Sequence, residues 1–561
     1  MKYSVKKTPR IYTKLSGFAD LLPVLEARGD CVLFKYPEGK GFATLSNADF
    51  AAMIRRVAAG LCAVGLGGKR VALIGETSPE WVASYLAIVA SGGVAIPMDK
   101  ELAIEAIEGF LASVEAEAII YSAAFHEKLA GARANHPSLS TFIPIRGEAE
   151  EKVLPFADLL LKGAEALEAG YTLPARDHEA PATMLFTSGT TGTSKCVVLA
   201  EKNTCSCVNA ACESVNFSKD DVILSVLPIH HTYELAIMLA AINIGCTIGI
   251  NDSLRHLMRN IAEIKPTGLI LVPLFVSTIH KRIMDKAKKQ GKDGLIKKMI
   301  PIAAHLPRGM RRKLFGAIHE TFGGRLTKII CGGAALNPEL VDKFDAFGIQ
   351  ICEGYGITEC SPLIAVNPYF ANKPGSVGPA VPGCEARIAV TGKNDLGFDE
   401  GEIQAKGGNV MIGYYQNEEA NAAAFTEDGW YRTGDMGYMD KKGYIHITGR
   451  LKSVIVLESG KNVFPEEIEE YLEDIEEIAE SVVVGRKAED SDAVLLTAVV
   501  YPNKDAFPEG TDKDTMHKVI YDKIVEQNKR VASFKKIMAL ELRDEEFEKT
   551  TSKKIKRHLV K

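Results

Sequence analysis

Unbroken apolar runs, each closed by glycine or proline and separated by Ala-rich stretches of helical period, recur through much of this chain. Arg70 to Gly75 reads RVALIG, followed by EWVASYLAIVASG and VAIPM, and Ala116 to Ser122 reads AEAIIYS. The same grammar returns in DDVILSVLP, TGLILVP and LTKIICGG. A strand with one wet face alternates, whereas a strand covered on both faces does not, so these runs predict parallel sheet sandwiched by helices. From about Ala386 the texture shifts to short alternating strands with turn dipeptides, EARIAV, GEIQAKG, GWYRTGD and DKKGYIHITG, which predict an antiparallel barrel or meander. After Gly449-Arg450 the pattern resets to a hairpin-like SVIVLESGKNVF, a helix opened by Pro465, two strands, a further helix and a basic tail. That last piece reads as a separate domain.

Composition removes several function classes. With 46% apolar and 25% charged residues over 561 positions, the chain is neither disordered nor fibrous. Lys plus Arg at 67 against Asp plus Glu at 72 leaves −5, and no global argument for a nucleic-acid partner. The eleven cysteines stop at Cys384 and contain no CxxC pair, which predicts reduced thiols in a cytoplasmic protein and no zinc site. The first residues, MKYSVKKTPRIYTK, carry charge without an apolar stretch behind them and do not read as a signal peptide. The segment Leu235 to Ile250 is apolar but shorter than the ~20 residues of a spanning helix. Gly245 and Gly249 interrupt it, so a buried helix running into a buried strand is expected. Residues 281–328 hold fourteen Lys/Arg against three acids, a local +11. They read first as a solvated helical face, and second as a peripheral contact for anionic membrane or an acidic partner protein.

The chemistry concentrates in loops that follow apolar runs. In TMLFTSGTTGTSKCVVL, Thr187, Ser188, Gly189, Thr190, Thr191, Gly192 and Lys195 join two such runs. Glycines there let backbone N–H groups approach phosphate oxygens, while the hydroxyls and the lysine add donors and charge. A Walker A loop is excluded, because Ser194 stands at its second glycine and Cys196 at its metal-binding hydroxyl. IICGGAAL and EGYGITECSP also pair a strand end with a glycine-containing loop, where α/β folds place ligands. Glu359 suits a Mg²⁺ carried on a nucleotide, and Tyr355 offers a ring face to a base. GWYRTGD supplies Asp435 for ribose hydroxyls, and GRLKS supplies Arg450.

Five ordered motifs, Thr187–Lys195, Glu353–Glu359, Tyr431–Asp435, Gly449–Arg450 and the terminal TTSKKIKR, resemble the signature set of the adenylate-forming superfamily, which includes acyl-CoA synthetases, luciferases and peptide-synthetase adenylation domains. LPIHHTYE and GRLKSVIVLESGKNVFPEEIE, with the basic insert before CGGAAL, are most similar to long-chain fatty acyl-CoA synthetases. The resemblance implies an α/β fold: a large N-terminal domain (1–449) of two α/β sheet lobes plus a small β-barrel at about 386–449, and a small mobile α+β C-terminal domain (450–561). It implies that a fatty acid attacks the α-phosphate of ATP with Mg²⁺, and that the thiol of coenzyme A then displaces AMP. An acyl-carrier-protein thiol is the alternative acceptor, and a non-catalytic nucleotide sensor the alternative of another class.

By matching positions, the 187–195 loop holds the β- and γ-phosphates. Gly333, Ala334 and Ala335, with Tyr355, hold adenine, and Glu353, Gly354 and Gly356 belong to the nucleotide site. Thr358 and Glu359 serve phosphate and metal, Asp435 and Arg450 serve ribose, and His231 stands beside the acyl group. Lys554 is the adenylation residue, in a motif where Lys553 replaces the usual glycine. Lys452 is the hinge about which the C-terminal domain turns, bringing Ser459, Gly460 and Lys461 to the thiol channel.

Overall fold

The computed structural model describes residues 11–187, 194–457, 462–487, 494–549 and 555–560. Two large mixed sheets carry the N-terminal region. The first has eight strands in the order Leu363–Val366, Gln350–Gly356, Lys328–Gly332, Gly268–Leu271, Val222–Ser225, Thr247–Ile250, Val32–Glu38 and Gly41–Ser46. The second has seven, in the order Gly413–Tyr414, Lys195–Ala200, Pro181–Thr187, Val94–Met98, Arg70–Ile74, Ala118–Tyr121 and Thr141–Pro144. Interior neighbours pair in parallel, and antiparallel partners stand towards the edges. The apolar runs of the sequence are these interior strands: Ala118–Tyr121 and Gly268–Leu271 are buried at every residue.

Helices fill both faces. In Pro79–Ala90 every residue except Glu80 is buried, which explains a helix that is apolar almost all round. Ser78 opens it by accepting a 3.1 Å hydrogen bond from the Trp81 amide, satisfying a donor that has no partner inside the helix. The apolar segment near residue 240 is a buried helix, Thr232–Ile244, followed by the strand Thr247–Ile250. Gly245 makes the break with φ 92°, a left-handed conformation that glycine adopts without a Cβ penalty. Among the described residues no helix is long and apolar enough to cross a membrane.

Beyond residue 383 the alternating strands form a four-stranded antiparallel sheet, Cys384–Lys393, Asp399–Gly407, Tyr431–Met439 and Ile445–Arg450. It is a meander, the second of the two forms that the alternation allows. Closure is forestalled because its last strand pairs with the body: Ile445 bridges Gly378, and Ala380 of the same segment bridges Ala365 at the edge of the eight-stranded sheet. The C-terminal region adds the hairpin Ile455–Val456 and Asn462–Val463, and a three-stranded sheet of Ile478–Lys487, Val494–Pro502 and Ala539–Leu542. Its core is built by the helices Pro465–Leu472 and Lys513–Gln527, with Ile468, Leu472, Ile520 and Ile524 buried.

The basic stretch 281–328 divides in two. Arg311 is buried, its guanidinium 2.6 Å from Asp345, and Lys328 sits 2.8 Å from Asp221. Arg312 donates to the carbonyls of Leu326 and Gly324, and Arg308 to the hydroxyl of Tyr369. These four are internal ties, which corrects the expectation of a uniformly solvated face. The other basic positions are exposed.

Candidate functional site

A cleft of ≈ 3490 Å³ opens beyond the ends of the strands Lys328–Gly332 and Gln350–Gly356, and the C-terminal region forms its other wall. Loops at the carboxyl ends of parallel strands converge there because each strand delivers its following loop to the same edge. Gly333, Ala334 and Ala335 line it after the first of these strands. Glu353, Gly354, Tyr355 and Gly356 line it at the end of the second, followed by Thr358 and Glu359 in a short 3₁₀ turn. His231, Asp435, Arg450 and Lys452 reach the same cleft from four other elements. Two glycines are required by space and conformation. Gly333 has φ 90°, and a Cβ on Gly356 would lie 2.0 Å from the carbonyl oxygen of Pro362.

Thr187 and Lys195 are paired residues at the two feet of the loop between strands Pro181–Thr187 and Lys195–Ala200. Ser188, Gly189, Thr190, Thr191 and Gly192, within that loop, lie outside the described residues. So do Lys554, Ser459, Gly460 and Lys461. The surroundings of Lys554 are described: Lys549 and Ile555 bridge across its loop, and Lys549, Ile555, Lys556 and Arg557 all line the cleft.

Asp435, only 3% exposed, is held from two sides. The Tyr355 hydroxyl donates to one carboxylate oxygen at 2.7 Å, and Arg450 Nε lies 2.8 Å from the other. The charge of Asp435 raises Arg450 above the ordinary arginine value, while burial and that same charge raise Tyr355. Both ribose candidates and the candidate adenine tyrosine are therefore joined through the Asp435 carboxylate.

Sequence reasoning missed Tyr414. Its hydroxyl donates to Glu359 Oε1 at 2.9 Å, and its ring carries the Lys195 ammonium 4.6 Å from the centroid. The candidate phosphate lysine and the candidate metal carboxylate are thus joined through one aromatic side chain. Its strand, Gly413–Tyr414, is only two residues long and offers no pattern to detect. A single carboxylate on the wall of a cleft, with one oxygen anchored, fits a Mg²⁺ that brings most of its ligands as phosphate and water.

Two more titrating groups shape the site. His230 is buried 3.6 Å from Asp99, with its ring 4.2 Å from that of His231. Burial first, then His231 and Lys100, holds it well below the usual histidine value, so it is neutral at pH 7. Glu353 is 6% exposed, and its Oε2 has no hydrogen-bond partner among the described residues. Burial, with the charge of Glu470 from the C-terminal region, pushes it up to about 8. That region is also tied to the body by Asn337, which donates to Asp474 at 3.0 Å, and by Arg530, 3.6 Å from Glu339.

Comparison with known proteins accords with this geometry. The sequence model described as AMP-binding enzyme matches residues 26–415, and that described as AMP-binding enzyme C-terminal domain matches residues 452–561. The long-chain-fatty-acid–CoA ligase FadD15 of Mycobacterium bovis is 32% identical over 464 residues, covering 78% of this chain and 74% of that protein. The chloroplastic long-chain-fatty-acid–[acyl-carrier-protein] ligase AEE15 of Arabidopsis thaliana is 27% identical, covering 83% of this chain and 74% of that protein. Among solved structures, ATP-bound MatB from Rhodopseudomonas palustris superposes with a TM-score of 0.75 at 26% identity, covering 97% of this chain and 98% of that one.

Proposed function

From the premise that the chain belongs to the AMP-binding enzyme family, we propose that it is an AMP-forming acid–thiol ligase that activates a fatty acid and passes the acyl group to coenzyme A. In the first step a carboxylate oxygen attacks the α-phosphorus of ATP and pyrophosphate leaves, giving acyl-AMP. In the second the thiol sulfur attacks the acyl carbonyl carbon and AMP leaves with the bonding electrons.

Charge accumulates on phosphate oxygens in the first step, so fixed donors and cations aimed at them lower its barrier. The proposed roles rest on the residues' match to the family's motifs. Thr187, Lys195 and the loop between them hold the β- and γ-phosphates. Gly333, Ala334 and Ala335, with Tyr355, take the adenine, and Asp435 with Arg450 takes the ribose. Thr358 serves the phosphate, and His231 stands beside the acyl group. Glu359, oriented by Tyr414, would hold Mg²⁺, which would supply neutralising charge there. Lys554 supplies the cation that bridges carboxylate, ribose and α-phosphate. Lys452, in the 3₁₀ turn Leu451–Ser453 directly after the last meander strand, is the hinge between the two half-reactions.

One observation carries this reading: both residues flanking the Lys554 loop line the same cleft as Asp435, Glu359 and the 333–335 loop. The test is ATP–pyrophosphate exchange across carboxylic acids from acetate to oleate, together with aryl acids, followed by thioester formation with coenzyme A or holo-acyl carrier protein. Exchange strongest with long-chain acids and thioester formed on coenzyme A are the expected results. Exchange with no carboxylic acid refutes the ligase, and transfer to carrier protein alone replaces the acceptor.

A further inference from the structure

The helix Thr232–Ile244 is apolar along most of its length and carries a single carboxyl, Glu234, which neither half-reaction uses. Glu234 is 2% exposed, and its Oε2 has no hydrogen-bond partner among the described residues. A buried carboxyl is a costly way to fill space, because an apolar side chain fills the same volume without desolvating a polar group. What the carboxyl does is join two places in the chain. The Ser225 hydroxyl, at the end of the strand Val222–Ser225, donates to Oε1, and the Leu227 amide, inside the loop that follows, donates to the same carboxyl. The first turn of the helix thus closes the loop 226–231 back onto the strand that it leaves. This loop carries His230 and His231 and borders the cleft. Beside Glu234, the Tyr233 hydroxyl donates to the carbonyls of Leu271 at 3.4 Å and Ile330 at 3.2 Å, so the same turn is also held to two neighbouring strands of the sheet.

We propose that Glu234 is a positioning residue for the acyl subsite: its carboxyl locks the 226–231 loop to the strand end and so fixes His231 beside the acyl group. The proposal rests on the ligase reading, which places His231 there. His231 belongs to both the loop and the helix, since its amide donates to the Pro228 carbonyl at 3.1 Å and its carbonyl accepts from the Leu235 amide at 3.0 Å. A shift of the loop therefore moves His231 and the His230 ring packed 4.2 Å from it together. Glu234 does this in its neutral form, because burial pushes it up to about 8 against the opposing effect of its two hydrogen bonds. The titratable groups on the surrounding elements are Tyr233, which burial, Cys331 and Glu234 all push up, and His230 and His231, with Asp99 and Lys100 facing His230. Above about pH 8 the carboxyl ionises inside the fold. A buried anion then stands one helical turn from His231, where an anionic acid has to bind.

The test measures KM for oleate and KM for Mg-ATP by pyrophosphate exchange on the full chain. Glu234→Ala removes both hydrogen bonds and raises KM for oleate about tenfold, while KM for Mg-ATP stays within about twofold. A general loss of structure would move both constants alike. Glu234→Gln keeps the acceptor oxygen and cannot ionise, so it restores the wild-type KM for oleate at pH 7. It also holds that value at pH 9, where about nine-tenths of the wild type is ionised and its KM for oleate rises about tenfold. Ser225→Ala cuts one of the two ties from the strand side and raises KM for oleate about threefold, which decides the matter if Glu234→Ala does not fold. An oleate KM unmoved in both alanine variants, a rise shared equally by Mg-ATP, or a glutamine variant that is as impaired as alanine or follows the wild type at pH 9 overturns the proposal. Wild-type exchange with no carboxylic acid removes the ligase reading instead, whereas exchange with oleate that the variants leave untouched removes only the role of Glu234.

Discussion

Replacing Glu353 with glutamine keeps the volume of the side chain and removes its ability to ionise. In the protein this carboxyl is 6% exposed, lacks a partner for Oε2 among the described residues, and is raised from 4.5 to about 8 by burial and by Glu470. Because the folded value lies above the unfolded one, the folded state holds the proton longer. The stability associated with the group is complete below about pH 4.5, declines as pH rises, and is lost once pH passes about 8. At about 1.4 kcal/mol per unit, the loss at pH 7 relative to pH 4 is about 3 kcal/mol. Glutamine mimics the protonated carboxyl at every pH, so Glu353→Gln should match the wild type near pH 4 and become progressively more stable than it up to pH 8. Thermal and urea unfolding of both proteins across that range measures the difference. Curves that stay parallel would show that Glu353 ionises freely in the folded state, and the burial argument would fall. Glu470→Gln should remove only part of the wild-type decline, since burial is the larger cause.

Tyr414→Phe deletes the 2.9 Å hydrogen bond to Glu359 while keeping the ring under Lys195. With a hydrogen bond to a charged group worth about 1.5–3 kcal/mol, KM for Mg-ATP in pyrophosphate exchange should rise about tenfold or more; an unchanged value detaches Tyr414 from the metal site. Asp435→Asn leaves Arg450 without its anion. A fully buried pair costs about 3–5 kcal/mol to break, discounted here to about 2 because the Arg450 side chain is 42% exposed. ATP affinity measured by calorimetry should fall with stability, and stability loss with full ATP binding would remove Asp435 from the ribose site. Lys554→Ala should abolish most pyrophosphate exchange yet leave thioester formation from supplied acyl-adenylate, and equal loss of both defeats the assignment. Lys452→Pro should depress thioester formation far more than pyrophosphate release, and proportional losses would place the hinge elsewhere.

The architecture was readable because burial on both faces leaves a mark in consecutive residues. Runs such as AIIY and GLIL can be nothing but covered strands once helices flank them. The glycine-bearing loops were readable for the same reason, since they punctuate those runs. Linear order therefore determined the interior strands, the buried helix Thr232–Ile244, the reset after Arg450 and the candidate residues themselves. Tertiary structure alone decided how those residues are electrostatically coupled. Tyr414 meets Glu359 across 55 positions, and Glu353 is shifted by a carboxylate from the C-terminal region. It also decided that Arg308, Arg311, Arg312 and Lys328 are internal ties while Lys298 and Lys313 face outwards. Hydrophobic periodicity is local along the chain, so sequence carries it directly. Charge coupling depends on distance through space and on excluded water, which neighbouring residues do not encode.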